Sequence, residues 1–195
     1  MKRLHTFRTT LVLILAAAVF FAVSCAGIPA PKRDAGKTYS LTVLHTNDHH
    51  GTIMPNGGEA GLAERATYVK GMRAKTENVL LLDAGDINTG TALSNMFKGE
   101  IDIKAYNMMK YDAVAFGNHE FDNDLALIEK QIALADFPFL SANITRKNGK
   151  YLDQAYIIKD FDGFRVGVFG LTTKRTLVIA SPDKSLTFAD EIETA

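Results

Sequence analysis

The sequence runs to 195 residues with 47% hydrophobic and 23% charged residues, enough for one well-buried domain of ordinary globular composition. Three of its 22 basic residues (Lys2, Arg3, Arg8) and none of its 22 acidic residues precede the single cysteine, Cys25, leaving 19 basic against 22 acidic groups and a formal charge of −3. That balance, without a basic face or aromatic-basic interleaving, argues against a nucleic acid polymer as partner, and one cysteine excludes an internal disulfide.

The opening MKRLHTFR is a basic stretch followed by 13 uninterrupted apolar residues, 11–23. That length suits a secretory signal and falls short of the roughly 20 residues a membrane-spanning helix needs. The run Ala22-Val23-Ser24-Cys25-Ala26-Gly27 resembles the lipobox of bacterial lipoproteins, with Ser24 as the small residue before the cysteine and Ala22 where leucine is commonest. The expectation is a signal peptide over residues 1–24 and lipidation at Cys25, giving an exported, membrane-anchored lipoprotein that faces the periplasm or cell exterior. The alternative is an ordinary secretory signal cut near Ala26 or Ala30. Residues 25–37, with Pro29, Pro31 and Gly36, read as a tether, and 38–195 as the domain.

Short apolar strands then alternate with amphipathic helices. Residues 39–46 predict a strand, and 61–75 a helix with Leu62, Tyr68, Val69 and Met72 as inward positions. The nearly continuous apolar run 79–83 predicts a second strand, 101–109 a helix, and 113–116 a third strand. Residues 123–135 follow as a helix with Leu125, Ile128 and Ile132 on one stripe, then 139–142 as a fourth strand. The alternation predicts an α/β fold with helices covering a sheet. Residues 155–159 and 165–171 flank Asp160-Phe161-Asp162-Gly163, a hairpin signal with Asp-Gly at the turn, and a last helix starts near Ala189 or Asp190. Each of the first four strands ends in a polar cluster: NDHH, DAGD, GNHEFD and SAN. Strand C-termini are where α/β sheets place their sites, so the four clusters can meet at one crevice.

In Asp48-His49-His50 an extended chain would point the first and third side chains to one side and His49 to the other. A carboxylate and an imidazole on one side suit zinc, manganese or iron, while a solvated turn is the plain alternative. His45 lies on the strand pattern and reads as a packed or hydrogen-bonded histidine. Asp83 and Asp86 follow the run VLLL, where a buried carboxylate costs free energy unless it is paired or bound to a cation. Gly85 would let the chain turn there, and the alternative is carboxylates bonded to backbone N–H groups. In GNHEFDND, Gly117 permits a tight turn, Asn118 offers a carbonyl oxygen, and His119 can act as acid, base or hydrogen-bond donor. Asp122 would either fix the tautomer of that imidazole or cap the helix starting near Asn123. Asn143 is open between a site role and a strand-end cap.

Taken together, LHTNDHHG (44–51), DAGDINTG (83–90), GNHEFDN (117–123) and SANI (141–144) resemble, in order, the motifs of the calcineurin-like metallophosphoesterases. The resemblance spans about residues 41–173 and points to the branch of the periplasmic 5′-nucleotidases and UDP-sugar hydrolases. It implies a layered sheet-and-helix sandwich and two divalent metal ions of the manganese, zinc or cobalt kind. Asp48 and His50 would bind the first, Asp86 would bridge both, and Asn118 would bind the second. His119, oriented by Asp122, would hydrogen-bond the phosphoryl group of a nucleotide or nucleotide-sugar. The family completes its second metal with later histidines, and residues 120–195 contain none. The resemblance therefore implies the N-terminal part of a longer enzyme, a domain incomplete at its C-terminus. The alternative is a non-catalytic exported lipoprotein that keeps the scaffold.

Overall fold

The computed structural model describes residues 36–195, so the expected signal peptide, Cys25 and most of the tether lie outside the described residues. The chain divides into two units. In one, comprising Met1–Lys37 and Asp162–Phe164, the Lys37 ammonium lies 3.7 Å from the Asp162 carboxylate. The other, Thr38–Phe161 with Arg165–Ala195, carries the polar strand ends.

Four strands, β1 (Thr42–Thr46), β2 (Val79–Asp83), β3 (Ala113–Ala115) and β4 (Phe139–Leu140), form a parallel sheet in that order. Thr46 stands beside Asp83, Asp83 beside Val114, and Ala115 beside Leu140, so the C-terminal ends share one edge. An order that steps one strand at a time, with crossovers of one hand, sends the connecting helices to the same face. Those helices are α1 (Leu62–Lys75), α2 (Ala92–Met96), α3 (Glu100–Met109) and α4 (Leu125–Leu134). Val69, Ile103, Tyr106 and Ile128 from three of them join Leu81, Val114, Phe116 and Phe139 in one core.

The elements are shorter than the hydrophobic pattern predicts. The first strand starts at Thr42 rather than residue 39, and β4 stops at Leu140 because the Ser141 and Ala142 N–H groups donate to Gln154 and Gly170. Tyr68, expected inward, is 63% exposed, because it sits six residues after Leu62, off the face that Leu62 and Val69 share seven apart. His45 is exposed on the sheet face away from the helices rather than packed. The hairpin appears as predicted, with β6 (Tyr156–Phe161) and β7 (Phe164–Phe169) joined through Asp162 at φ 54° and Gly163 at φ 91°. Two left-handed residues in succession are what a two-residue hairpin turn requires.

Antiparallel β5 (Ile144–Arg146) and β8 (Leu186–Phe188), and the one-turn helix α5 (Thr176–Ile179), are too short to show a period in sequence. The final helix, α6 (Glu191–Thr194), begins where expected, its first N–H groups capped by the Asp190 carboxylate.

Candidate metal centre

The loop after β1 is not extended. Asp48 and His50 both take left-handed backbone, at φ 50° and 49°. They are tied to the neighbouring loop by Asp48 N–H to the Gly85 carbonyl at 3.0 Å and His50 N–H to the Asp86 carbonyl at 2.8 Å. The premise of a straight strand end is thus corrected, yet Asp48 and His50 still meet, with Oδ1 and Nε2 3.6 Å apart. His49 turns inward, where its Nε2 lies 3.5 Å from Asp102 Oδ1, both side chains being fully buried. The other oxygen of Asp102 accepts the Ser94 hydroxyl at 2.6 Å.

The two carboxylates after β2 separate in role. Asp83 accepts the Thr46 hydroxyl at 2.5 Å, the Tyr106 hydroxyl at 2.9 Å and the Gly85 N–H at 2.8 Å. Burial raises its pKa above the ordinary value, against these three donors, which pull it down. Protein donors satisfy it, so it needs no cation. Asp86 is left-handed at φ 59° and turns toward the next loop, where its Oδ1 accepts the His119 N–H at 2.8 Å. The loops touch through their glycines: a Cβ on Gly85 would sit 2.1 Å from the Gly117 nitrogen, and one on Gly117 2.2 Å from Asp86 Oδ1.

After β3 the chain makes a single 3₁₀ turn, His119–Asp122, which brings the Asp122 carboxylate to 2.5 Å from His119 Nδ1. The cap of α4 is Asp124, whose side chain accepts the Leu127 N–H at 2.8 Å, so Asp122 is free for the imidazole. That hydrogen bond raises the His119 pKa, partial burial opposes it, and the Asp86 charge adds to the rise. His50 Nδ1 lies 3.3 Å from the Thr89 carbonyl, which can only accept, so Nδ1 is the donor there and Nε2 is the nitrogen turned toward Asp48. The two imidazoles stand nearly perpendicular, 4.9 Å between centroids.

Ligand atoms of His50, Asp86 and His119 all lie within 4.8 Å of one another. Two nitrogens and a carboxylate oxygen suit a first-row divalent ion, and imidazoles whose Nδ1 is held by an oxygen are oriented as metal-ligating histidines are. The donor set therefore fits a divalent metal. Asp48 borders the cluster through His50. Asn118 precedes His119 on the same turn, and its side chain makes no capping hydrogen bond. His119, which the resemblance assigns to the phosphoryl group, stands inside the donor cluster. The Asn143 amide is held by backbone at the strand end: it donates to the Thr172 carbonyl at 2.7 Å and the Ala189 carbonyl at 3.1 Å, and accepts the Thr172 N–H at 3.0 Å.

Residues 41–185 match the calcineurin-like phosphoesterase family. The chain belongs to that family. The chain is 47% identical over 177 residues to a 5′-nucleotidase of Vibrio cholerae, covering 87% of the chain and 32% of the relative. A solved structure of a 5′-nucleotidase precursor from Thermus thermophilus superposes with a TM-score of 0.74 at 34% identity, covering 79% of this chain and 32% of that one. The NAD nucleotidase of Haemophilus influenzae gives 0.73 at 32% identity, covering 79% and 30%. The chain thus spans about a third of the length of the curated relatives it matches. Membership in the family implies divalent metals, and among the described residues candidate donor atoms of this chain converge at His50, Asp86 and His119.

Two residues to which the sequence reading gives no role complete the surroundings. Asp102 lies on the buried side of α3, where only tertiary structure pairs it with His49. Glu120, inside the GNHE segment, is fully buried between the two loops, and burial pushes its carboxyl up to about 7 against the N–H groups of Asp86, Ile87 and Gly117.

Proposed function

We propose that this chain carries the metal-binding and phosphoryl-contacting face of a phosphoester hydrolase acting on nucleotides outside the cytoplasm. The observation that carries the proposal is the convergence of His50, Asp86 and His119 at adjoining strand ends. Asp48, His50, Asp86 and Asn118 would hold divalent cations of the manganese, zinc or cobalt kind, with Asp86 shared between two. Such cations supply Lewis acidity and neutralise phosphate charge. Of the three converging groups, His50 and Asp86 would serve the cations, while His119, its Nδ1 held by Asp122, would keep Nε2 for a phosphoryl oxygen and donate a hydrogen bond as charge builds there. Asp122 stabilises the imidazolium that does so. The 5′-nucleotidases and the NAD nucleotidase among the relatives support a nucleotide or nucleotide-sugar as substrate.

Residues 120–195 hold no histidine, so this chain offers a second cation few protein donors. Elemental analysis after dialysis is expected to find fewer than two ions per chain, with slow phosphate release from nucleoside monophosphates that Asp86→Ala and His119→Ala both abolish. Release unaffected by either substitution, or metal content equal in wild type and Asp86→Ala, overturns the proposal. Metal retention without any turnover favours the second reading, a non-catalytic exported scaffold.

Export and lipidation at Cys25 follow from the basic stretch, the apolar run 11–23 and the Ser24-Cys25 pair. A fatty-acid probe is expected to label wild type and not Cys25→Ala. An unlabelled wild type rules out the lipid anchor.

A further inference from the structure

Glu120 is an expensive residue to bury. It is fully enclosed, and it accepts from N–H groups rather than from a cation: Oε2 takes Asp86 N–H at 2.9 Å and Gly117 N–H at 2.7 Å, while Oε1 takes Ile87 N–H at 2.9 Å and the Asn88 amide at 3.4 Å. An isolated carboxylate in such a place is strongly disfavoured, so the site is built around these bonds. Its backbone donors flank the point where the two loops touch, the Gly85 to Gly117 approach.

We propose that Glu120 is the positioning residue of the metal site, its carboxylate joining the loop after β2 to the loop after β3 and so fixing Asp86 against His119. This rests on the reading that the cluster binds a divalent cation. The geometry closes a ring. The main chain of Asp86 donates to the Glu120 carboxylate, and the main chain of His119, next to Glu120, donates to the Asp86 carboxylate at 2.8 Å. His50 is drawn into the same ring, because its N–H donates to the Asp86 carbonyl at 2.8 Å. Asp86 holds a left-handed backbone, at φ 59°, which a residue with a Cβ resists. The two bonds Glu120 makes to Asp86 and Ile87 N–H groups hold that conformation. Without them the loop would relax, and all three donor side chains would shift relative to one another.

Glu120→Gln preserves size but sets an amide NH₂ against either the Asp86 and Gly117 N–H groups or that of Ile87. Glu120→Asp keeps the charge and falls one methylene short of reaching both loops. Calorimetric titration with Mn²⁺ is expected to show both binding about 10- to 100-fold more weakly than wild type, the range seen when outer partners of metal ligands are removed. Ile128→Val, a core change on α4, is expected to bind as wild type does. Asp86→Asn distinguishes the two levels of inference: if it loses binding while the Glu120 variants keep it, the positioning role is overturned and the metal site stands. If it binds as wild type does, the metal site fails and the positioning role with it. Amide hydrogen exchange in the metal-free chain reads the clamp directly. Wild type is expected to protect Asp86, Ile87 and Gly117 together, and Glu120→Gln to release these three while Leu81 in β2 stays protected. Fast exchange at Gly117 in wild type, or unchanged protection in Glu120→Gln, overturns the proposal.

Discussion

Asp83→Asn isolates the buried carboxylate beneath the site at almost constant volume. The Gly85 N–H cannot turn, so the new carbonyl oxygen must serve it, and the NH₂ then faces the Thr46 and Tyr106 hydroxyls. Thr46 can redirect its proton to the Tyr111 oxygen, 2.7 Å away. Tyr106 cannot redirect its own in the same way, and a buried donor without an acceptor costs about 1–3 kcal/mol. The sign of the pH dependence follows from burial, which raises the Asp83 pKa above 3.8. A raised carboxyl contributes stability that is complete below its unfolded value and is lost as pH rises through the folded one. Asparagine does not titrate. The gap between wild type and variant should therefore be widest near about pH 4 and shrink toward about pH 8, measured by urea unfolding across that range. A gap that widens with pH would refute the reasoning, because it would mean that three donors outweigh burial and the folded pKa is lowered.

Gly117→Ala drives a Cβ to 2.2 Å from Asp86 Oδ1, so Mn²⁺ affinity in a calorimetric titration should fall by at least about tenfold, as expected when a ligand is displaced. Asp122→Asn removes the principal cause of the raised His119 pKa, so NMR titration of the metal-free chain should show that imidazole deprotonating at lower pH than in wild type. His49→Ala leaves the buried Asp102 carboxyl with the Ser94 hydroxyl as its partner, and denaturant unfolding should register a loss of about 1–3 kcal/mol.

The alternation of apolar runs is enough to predict an α/β fold with helices covering a sheet, because strand and helix periods are local and each run covers several residues. The polar clusters at strand ends were legible for the same reason: charged or amide-bearing residues within two positions of VLLL or AVAF mark where the strand ends. The Asp-Gly turn and the Asp190 cap are equally local, each fixed by the chemistry of one or two residues. What no local pattern carries is partnership. Residue chemistry does not separate Asp83 from Asp86 in DAGD; the resemblance picks Asp86, and the approach of Thr46 and Tyr106 to one and of the His119 N–H to the other gives the physical reason. Asp122 and Asp124 both suit a helix cap by residue type, and it is the 3₁₀ turn that brings Asp122 to the imidazole and leaves the cap to Asp124. Asp102 and Glu120 have no role of their own in the sequence reading, and both are fully buried. Glu120 meets Asp86 across 34 residues of chain, and His49 meets Asp102 from a different element. Contacts of that reach are decided by how the loops pack, since each polar group has many possible partners until the sheet sets their distance.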